Sequence, residues 1–220
     1  MASVSTSFFV QSGSKPPCMV HIAYPHLTGL PNGTAEASIN TQLRSAVADA
    51  ASAFVENVTA LATPPGAGPG APAGGGGGSG TTSTLDGTFT TTRLDHTVAS
   101  FSVRATGEVA GAAQPSTVVI TRTFDLATGS AYSLASLFRP GSPYLATLSN
   151  LSIAALQAKY GSGSWAAVAG PVAANFAEWG LNSGGLQLTF PNAPQALAAP
   201  VVTLPYSRLT SVASPGGPLG

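Results

Sequence analysis

The stretch PPGAGPGAPAGGGGGSG, from Pro64 to Gly80, constrains this chain more than any other feature. Built from Gly, Pro, Ala and one Ser, it has no large side chain to bury and reads as a flexible segment. Its position decides how many cores the chain holds. Residues 1–63 offer one strand and one helix, too little apolar surface to stand alone. The helix must therefore find its sheet beyond the tract. Loop-closure cost grows only logarithmically with length, so an insertion of about 17 residues inside a domain is thermodynamically mild. The expectation is a single domain over 19–210 with a disordered loop at 64–80. A flexible segment is expected at 1–18 and a flexible tail at 211–220.

The elements follow from periodicity. MVHIAYPHL (19–27) reads as a strand ended by Pro25. Asn32-Gly33 marks a turn and Thr34 a helix cap. Ile39, Leu43, Val47, Ala50, Phe54, Val58 and Leu61 then recur at steps of three and four, the apolar stripe of an amphipathic helix ending at Pro64. Past the tract, a Thr-, Val- and Phe-rich region through PSTVVITRTFDL predicts two or three antiparallel strands, because the connections are too short for a crossover helix. SLASLF is a short helical turn. A second helix runs through SPYLATLSNLSIAALQAKYG, with Ser142 as cap, Pro143 in the first turn and Gly161 as stop. NFAEWGL, GGLQLTF and VVTLPYSRL supply the last strands. The fold class is α+β: an antiparallel sheet packed against two main helices in one domain.

Charge narrows the function. Eight basic and eight acidic residues give zero net charge, and the basic ones do not cluster, which excludes a nucleic-acid interface. Charged residues are only 7% of the chain, and the surface must be built from Ala, Gly, Ser, Thr and Pro, a composition that favours a secreted bacterial protein. No stretch reaches the ~18 apolar residues of a membrane helix. The opening MASVSTSFFVQSGSKPP lacks a signal-peptide pattern, so the chain is expected either to be cytosolic or to begin after a removed signal or anchor. Cys18 is alone and forms no internal disulfide; it reads as a small buried hydrophobe, with lipidation or an intermolecular bridge as the alternative.

Catalytic patterns do not assemble. GSGSW at 161–165 has its glycines at the wrong offsets for a nucleophile elbow. DLATG at 125–129 reads as a strand-ending turn. His21 and His26 are five apart, one step too far for a helical zinc pair, and read as one strand and one turn histidine. His96 beside Asp95 could be half of an acid–base pair, but no spacing supplies its partner. The chain is expected to be no enzyme and to need no cofactor or metal. Binding residues are easier to name. FPNAPQALAAP (190–200) is a proline-stiffened connection between strands, in which Pro194, Leu197 and Pro200 would present an apolar contact. The same prolines serve equally to block edge pairing. Trp165 is the next candidate, as a binding platform or as a core aromatic.

Several segments taken in order resemble one family. HIAYPHLTGL with ASINTQL, FDLATGSAYSLASLF, the helix from SPYLATL, and GGLQLTF with VVTLPYSRL are similar to the successive motifs of RsiV-like extracytoplasmic domains. These form the C-terminal domain of a lysozyme-sensing anti-sigma factor and occur in secreted mycobacterial antigens. The resemblance spans Met19 to Leu209. It implies an α+β domain outside the cytoplasmic membrane, without catalytic machinery, binding a lysozyme-like protein or a cell-wall glycan. It also admits the accessory region of a wall polysaccharide deacetylase, or an exported immunogenic protein without a specific ligand. Two family motifs are altered: a G-A-H-P turn stands as Gly111-Ala112-Ala113-Gln114-Pro115, and the loop at 190–200 lacks a tyrosine and a glycine.

Overall fold

The apolar stripe of the first helix finds its partner in a sheet assembled from both sides of the Gly/Pro tract. The structure is a computed structural model that describes residues 2–62 and 82–219. The loop expected at 64–80 lies outside the described residues. Strands β1 (Ser3–Ser14), β2 (Pro17–Thr28), β3 (Ser83–Leu94), β4 (Val98–Glu108) and β5 (Ser116–Asp125) form one sheet in that order. All neighbours are antiparallel except β2 and β3, which run parallel from Cys18↔Ser83 to Ile22↔Gly87. Parallel neighbours need a crossover, and helix α1 (Gly33–Ala62) supplies it.

Helix α1 buries Ile39, Leu43, Val47, Ala51, Phe54 and Val58 against Val20, Ile22, Leu85, Phe101, Val103 and Phe124. Each large side chain so buried contributes roughly 1.5–3 kcal/mol. Leu61, at the end of the stripe, is exposed. The cap is Asn32 rather than Thr34. The Asn32 Oδ1 accepts from the Thr34 N–H (3.1 Å) and the Ala35 N–H (3.2 Å). Its Nδ2 donates to the Ala127 carbonyl (2.9 Å), tying the helix start to the DLATG turn. Gly129 closes that contact. Its φ is +74°, and a Cβ there would stand 2.6 Å from the Ala35 carbonyl oxygen, so only glycine fits.

The remaining chain makes a second layer on the other face of this sheet. It contains α2 (Tyr144–Tyr160), α3 (Trp165–Ala169) and a sheet of β6 (Trp179–Asn182), β7 (Gly185–Thr189) and β8 (Val201–Pro205), antiparallel in that order. Its core gathers Leu148, Leu156, Phe176, Leu181, Leu186, Leu188 and Phe190. Gly161, at φ +83°, ends α2 as expected, but Pro143 rather than Ser142 occupies the cap position and makes no side-chain cap. The strands thus form two sheets where the sequence suggested one.

Three further expectations are corrected. Of the segment 1–18 expected to be flexible, the described residues 2–18 are ordered: Ser3–Ser14 pairs residue for residue with β2 across the Lys15-Pro16 turn. The alternation of Ser and Thr with Phe and Val suits a half-exposed strand. Pro25 does not end β2. Pairing with β3 stops at Ile22, so Pro25 lies where β2 has β1 alone as neighbour, a place that tolerates proline. His26 is therefore a strand residue too. Residues 211–219 do not form a flexible tail, because Val212 and Leu219 are buried in the second core and the Ser214 N–H donates to the Leu137 carbonyl (2.9 Å).

Candidate functional site

The β3–β4 hairpin ends in a bulge. Thr91 pairs with Phe101 and Arg93 with Ser100, leaving Thr92 as an extra residue. A bulge bends its strand and re-aims the side chain beside it. Here it turns Arg93 into a cleft of about 880 Å³ where the hairpin, the DLATG turn, the β6–β7 turn and the C-terminal segment meet.

The walls hold two aspartates, two tyrosines and one guanidinium in two linked networks. The Arg93 Nε donates to Asp95 Oδ2 (2.6 Å), and its Nη1 donates to the Tyr206 hydroxyl (3.2 Å) and the Pro218 carbonyl (2.9 Å). The Tyr206 hydroxyl donates to the Asn182 carbonyl at 2.7 Å. Asp95 closes its own turn, with Oδ1 accepting from the N–H groups of Thr97 and Val98, both at 2.8 Å. Asp125 does the same for Ala127 and Thr128 (2.9 Å each), while its Oδ2 accepts from the Tyr132 hydroxyl at 3.0 Å. The Leu126 N–H donates to the Thr97 carbonyl (2.8 Å), fastening one turn to the other.

These contacts set the charges. Burial raises the Asp95 carboxyl, but the Thr97 and Val98 N–H groups with Arg93 outweigh it and hold the pKa at about 2. At Asp125 burial is likewise outweighed, by hydrogen bonds from Thr128 and Tyr132, and the carboxyl is lowered. Burial and the neighbouring Asp125 push Tyr132 up; burial pushes Tyr206 up against the opposing charge of Arg93. Burial works to lower Arg93, but Asp95 and Tyr206 outweigh it and its pKa rises. At neutral pH the cleft therefore holds two anions, one cation and two protonated phenols. That set offers hydrogen bonds in both directions and two aromatic surfaces, and no group in it is tuned to exchange a proton near neutrality.

Asp95 and Asp125, weighed above for catalysis, line the cleft, but the binding residues singled out from the sequence lie elsewhere. Trp165 is a core residue, 5% exposed, and its Nε1 donates to the Gly161 carbonyl at 2.9 Å, so it offers no open platform. In the 190–200 connection Pro194 is exposed, Leu197 is half-buried against the second core and Pro200 is buried. The connection does not stand free: Arg104 of β4 donates to the carbonyls of Ala198 (2.5 Å) and Ala199 (3.0 Å). Both alanines adopt positive φ, 45° and 58°. His96 is exposed in the turn beside the cleft, and His21 stacks on Phe8 across β1 and β2, with ring centroids 5.3 Å apart. Arg93, Tyr132 and Tyr206 were missed. The signal for two of them was present, since Tyr132 and Tyr206 sit inside the FDLATGSAYSLASLF and VVTLPYSRL motifs, but nothing in a sequence says that those motifs meet.

No family model matches the chain, and no curated protein matches it. Among solved structures it is similar to a DUF3298 family protein from Pseudomonas aeruginosa PAO1, with a TM-score of 0.61 and 14% identity over 98% of this chain and 94% of that one. It is also similar to a member of the DUF3298 family from Bacteroides fragilis, with a TM-score of 0.63 and 11% identity over 97% and 94%. At such identities the likeness concerns the backbone: this chain has the α+β fold seen in DUF3298 family structures.

Proposed function

We propose that this protein is a non-catalytic extracytoplasmic binding domain of the RsiV-like type, and that its ligand, a protein or a cell-wall component, enters the cleft around Arg93 and Tyr206. The observation that carries the reading is the state of that cleft. Its carboxylates are ionised and committed to turns and to Arg93, and its phenols are protonated, so the site recognises rather than transforms. The charge-poor, Ser- and Thr-rich composition supports placement outside the cytoplasm.

The test leaves the hydrogen-bond network untouched. Ser183 is exposed at the cleft rim in the β6–β7 turn, so Ser183→Trp obstructs the opening while the fold persists. Calorimetric titration with lysozyme and with soluble peptidoglycan fragments should give binding by the wild type to one of them, weakened at least about tenfold (about 1.4 kcal/mol) in the variant. Equal affinity in both proteins would move the site away from the cleft. Failure of both probes would overturn the ligand class, and turnover of the fragments would overturn the non-catalytic reading.

A further inference from the structure

The five-stranded sheet treats its two edges differently. Along β5 the outer backbone is covered from Thr121 to Asp125. The Glu178 Oε2 accepts from the Thr121 N–H (2.9 Å), the Tyr132 N–H donates to the Thr123 carbonyl (2.8 Å), and the Asp125 N–H donates to the Ser130 carbonyl (3.0 Å). Along β1 no such cover exists among the described residues: its backbone pairs with β2 alone. Natural monomers blunt bare edges with Lys, Pro, inward charges or short strands. Strand β1 has none of these. It is 12 residues long, SVSTSFFVQSGS, without a charged residue or a proline.

Its outer face is also apolar where solvent would favour polar groups. Phe8 is 58% exposed, Val10 66% and, on the adjacent strand, Met19 52%. Phe8 pairs with Ala23, Val10 with His21 and Ser12 with Met19, so these side chains share one face.

We propose that β1 is an interface to a second copy of this chain, pairing antiparallel with its counterpart about Phe9 to make one continuous sheet. A two-fold interface must be self-complementary, each residue class meeting its own kind. About Phe9 the central steps meet this requirement: Phe8 faces Val10 of the second copy, Ser7 faces Gln11 and Thr6 faces Ser12, while toward the ends Ser5 faces Gly13 and Val4 faces Ser14. The pairing places Phe8 against Val10 twice, once on each side of the axis, and cross-strand apolar pairs of this kind stabilise a sheet. No charge opposes the approach, since β1 carries none and the chain is neutral overall. A two-fold pairing uses the β1 edge of both copies, so it closes at two instead of propagating.

Sedimentation velocity over a concentration series reads the oligomer, and thermal melting reads the fold. The wild type should dimerise. Phe8→Lys with Val10→Lys, both on exposed positions, should raise the dimer dissociation constant about tenfold or more while leaving the melting curve of the monomer unchanged. A second variant fixes the register: Ser7→Cys with Gln11→Cys should form a covalent dimer on mild oxidation, whereas Ser5→Cys with Gln11→Cys, which requires the axis one residue away, should not. A wild type that stays monomeric throughout the series overturns the proposal. So does a dimer that survives the lysine pair and fails to cross-link in the first cysteine variant.

Discussion

Along β4, Ala99, Phe101, Val103 and Ala105 face helix α1, while Ser100, Ser102 and Arg104 face the three-stranded sheet. The first set belongs to the apolar core shared with α1. The second set works through hydrogen bonds: the Ser100 hydroxyl shares a hydrogen with the Thr123 hydroxyl (2.9 Å) and accepts from the Leu181 N–H (2.9 Å), and Arg104 holds the 198–199 backbone. One strand thus carries two kinds of interface. The helix face draws its stability from area and tolerates any close-packed apolar arrangement. The sheet-to-sheet face draws orientation from directional bonds and fixes where the second layer, and with it the cleft, must sit.

The largest effect that separates the two faces should come from the helix side. Phe124 is fully buried with its ring tilted against Phe101 at a centroid distance of 6.4 Å. Phe124→Ala should cost about 3–5 kcal/mol in urea unfolding. A cost below that of polar-face substitutions would reverse the ranking.

The polar face should respond less, and selectively. Ser100→Ala orphans the buried Leu181 N–H and should cost about 1–3 kcal/mol. Glu178→Ala should cost a similar amount through the Thr121 N–H, whereas Glu178→Gln keeps an acceptor and should cost clearly less. Equal losses for the two Glu178 variants would show that the charge, not the hydrogen bond, matters there.

Titration should sharpen the contrast further, because the groups concerned lie on the polar side and at the cleft. Asp95 has its folded pKa below the unfolded value, so its contribution is complete above pH 3.8 and is lost as the pH falls toward about 2. Asp125 acts in the same direction. Glu178 has the opposite sign: burial raises its pKa despite the Thr121 hydrogen bonds, so the fold gains from its protonation and loses as the pH rises through the folded value. Asp95→Asn should flatten the acid limb of a stability–pH profile and Glu178→Gln should remove the opposing component. A profile unchanged by Asp95→Asn would show that the carboxylate contributes nothing to acid sensitivity.

The smallest effect expected is a gain. Ala198 is exposed at φ 45°, a conformation that disfavours L residues with a side chain and suits glycine. Ala198→Gly should leave the Arg104 contact in place and raise stability by less than about 1 kcal/mol in a melting comparison. A loss would mean that the loop is held by more than its backbone geometry.

Local periodicity was enough to find α1, α2 and the strands after the Gly/Pro tract, because a stripe at 3.6 residues or an alternation at two is written in adjacent residues. It failed at Ser3–Ser14 and at 211–219, which have weak patterns of their own and are ordered by neighbours brought in from elsewhere. Asp125 was legible as a turn residue, since its partners Ala127 and Thr128 are two and three positions away. Arg93 was not, because Tyr206 and Pro218 stand 113 and 125 residues from it. The sequence by itself determined the two main helices, the strands after the Gly/Pro tract and the turn at Asp125, and that the chain is poor in charge. Only the tertiary structure decided that the strands divide into two sheets, that Trp165 and Leu197 turn inward, and that the two turn aspartates share a cleft with Arg93 and two tyrosines. The physical reason is that hydrophobic periodicity is a local property, whereas the meeting of polar side chains depends on where the packed layers place their ends.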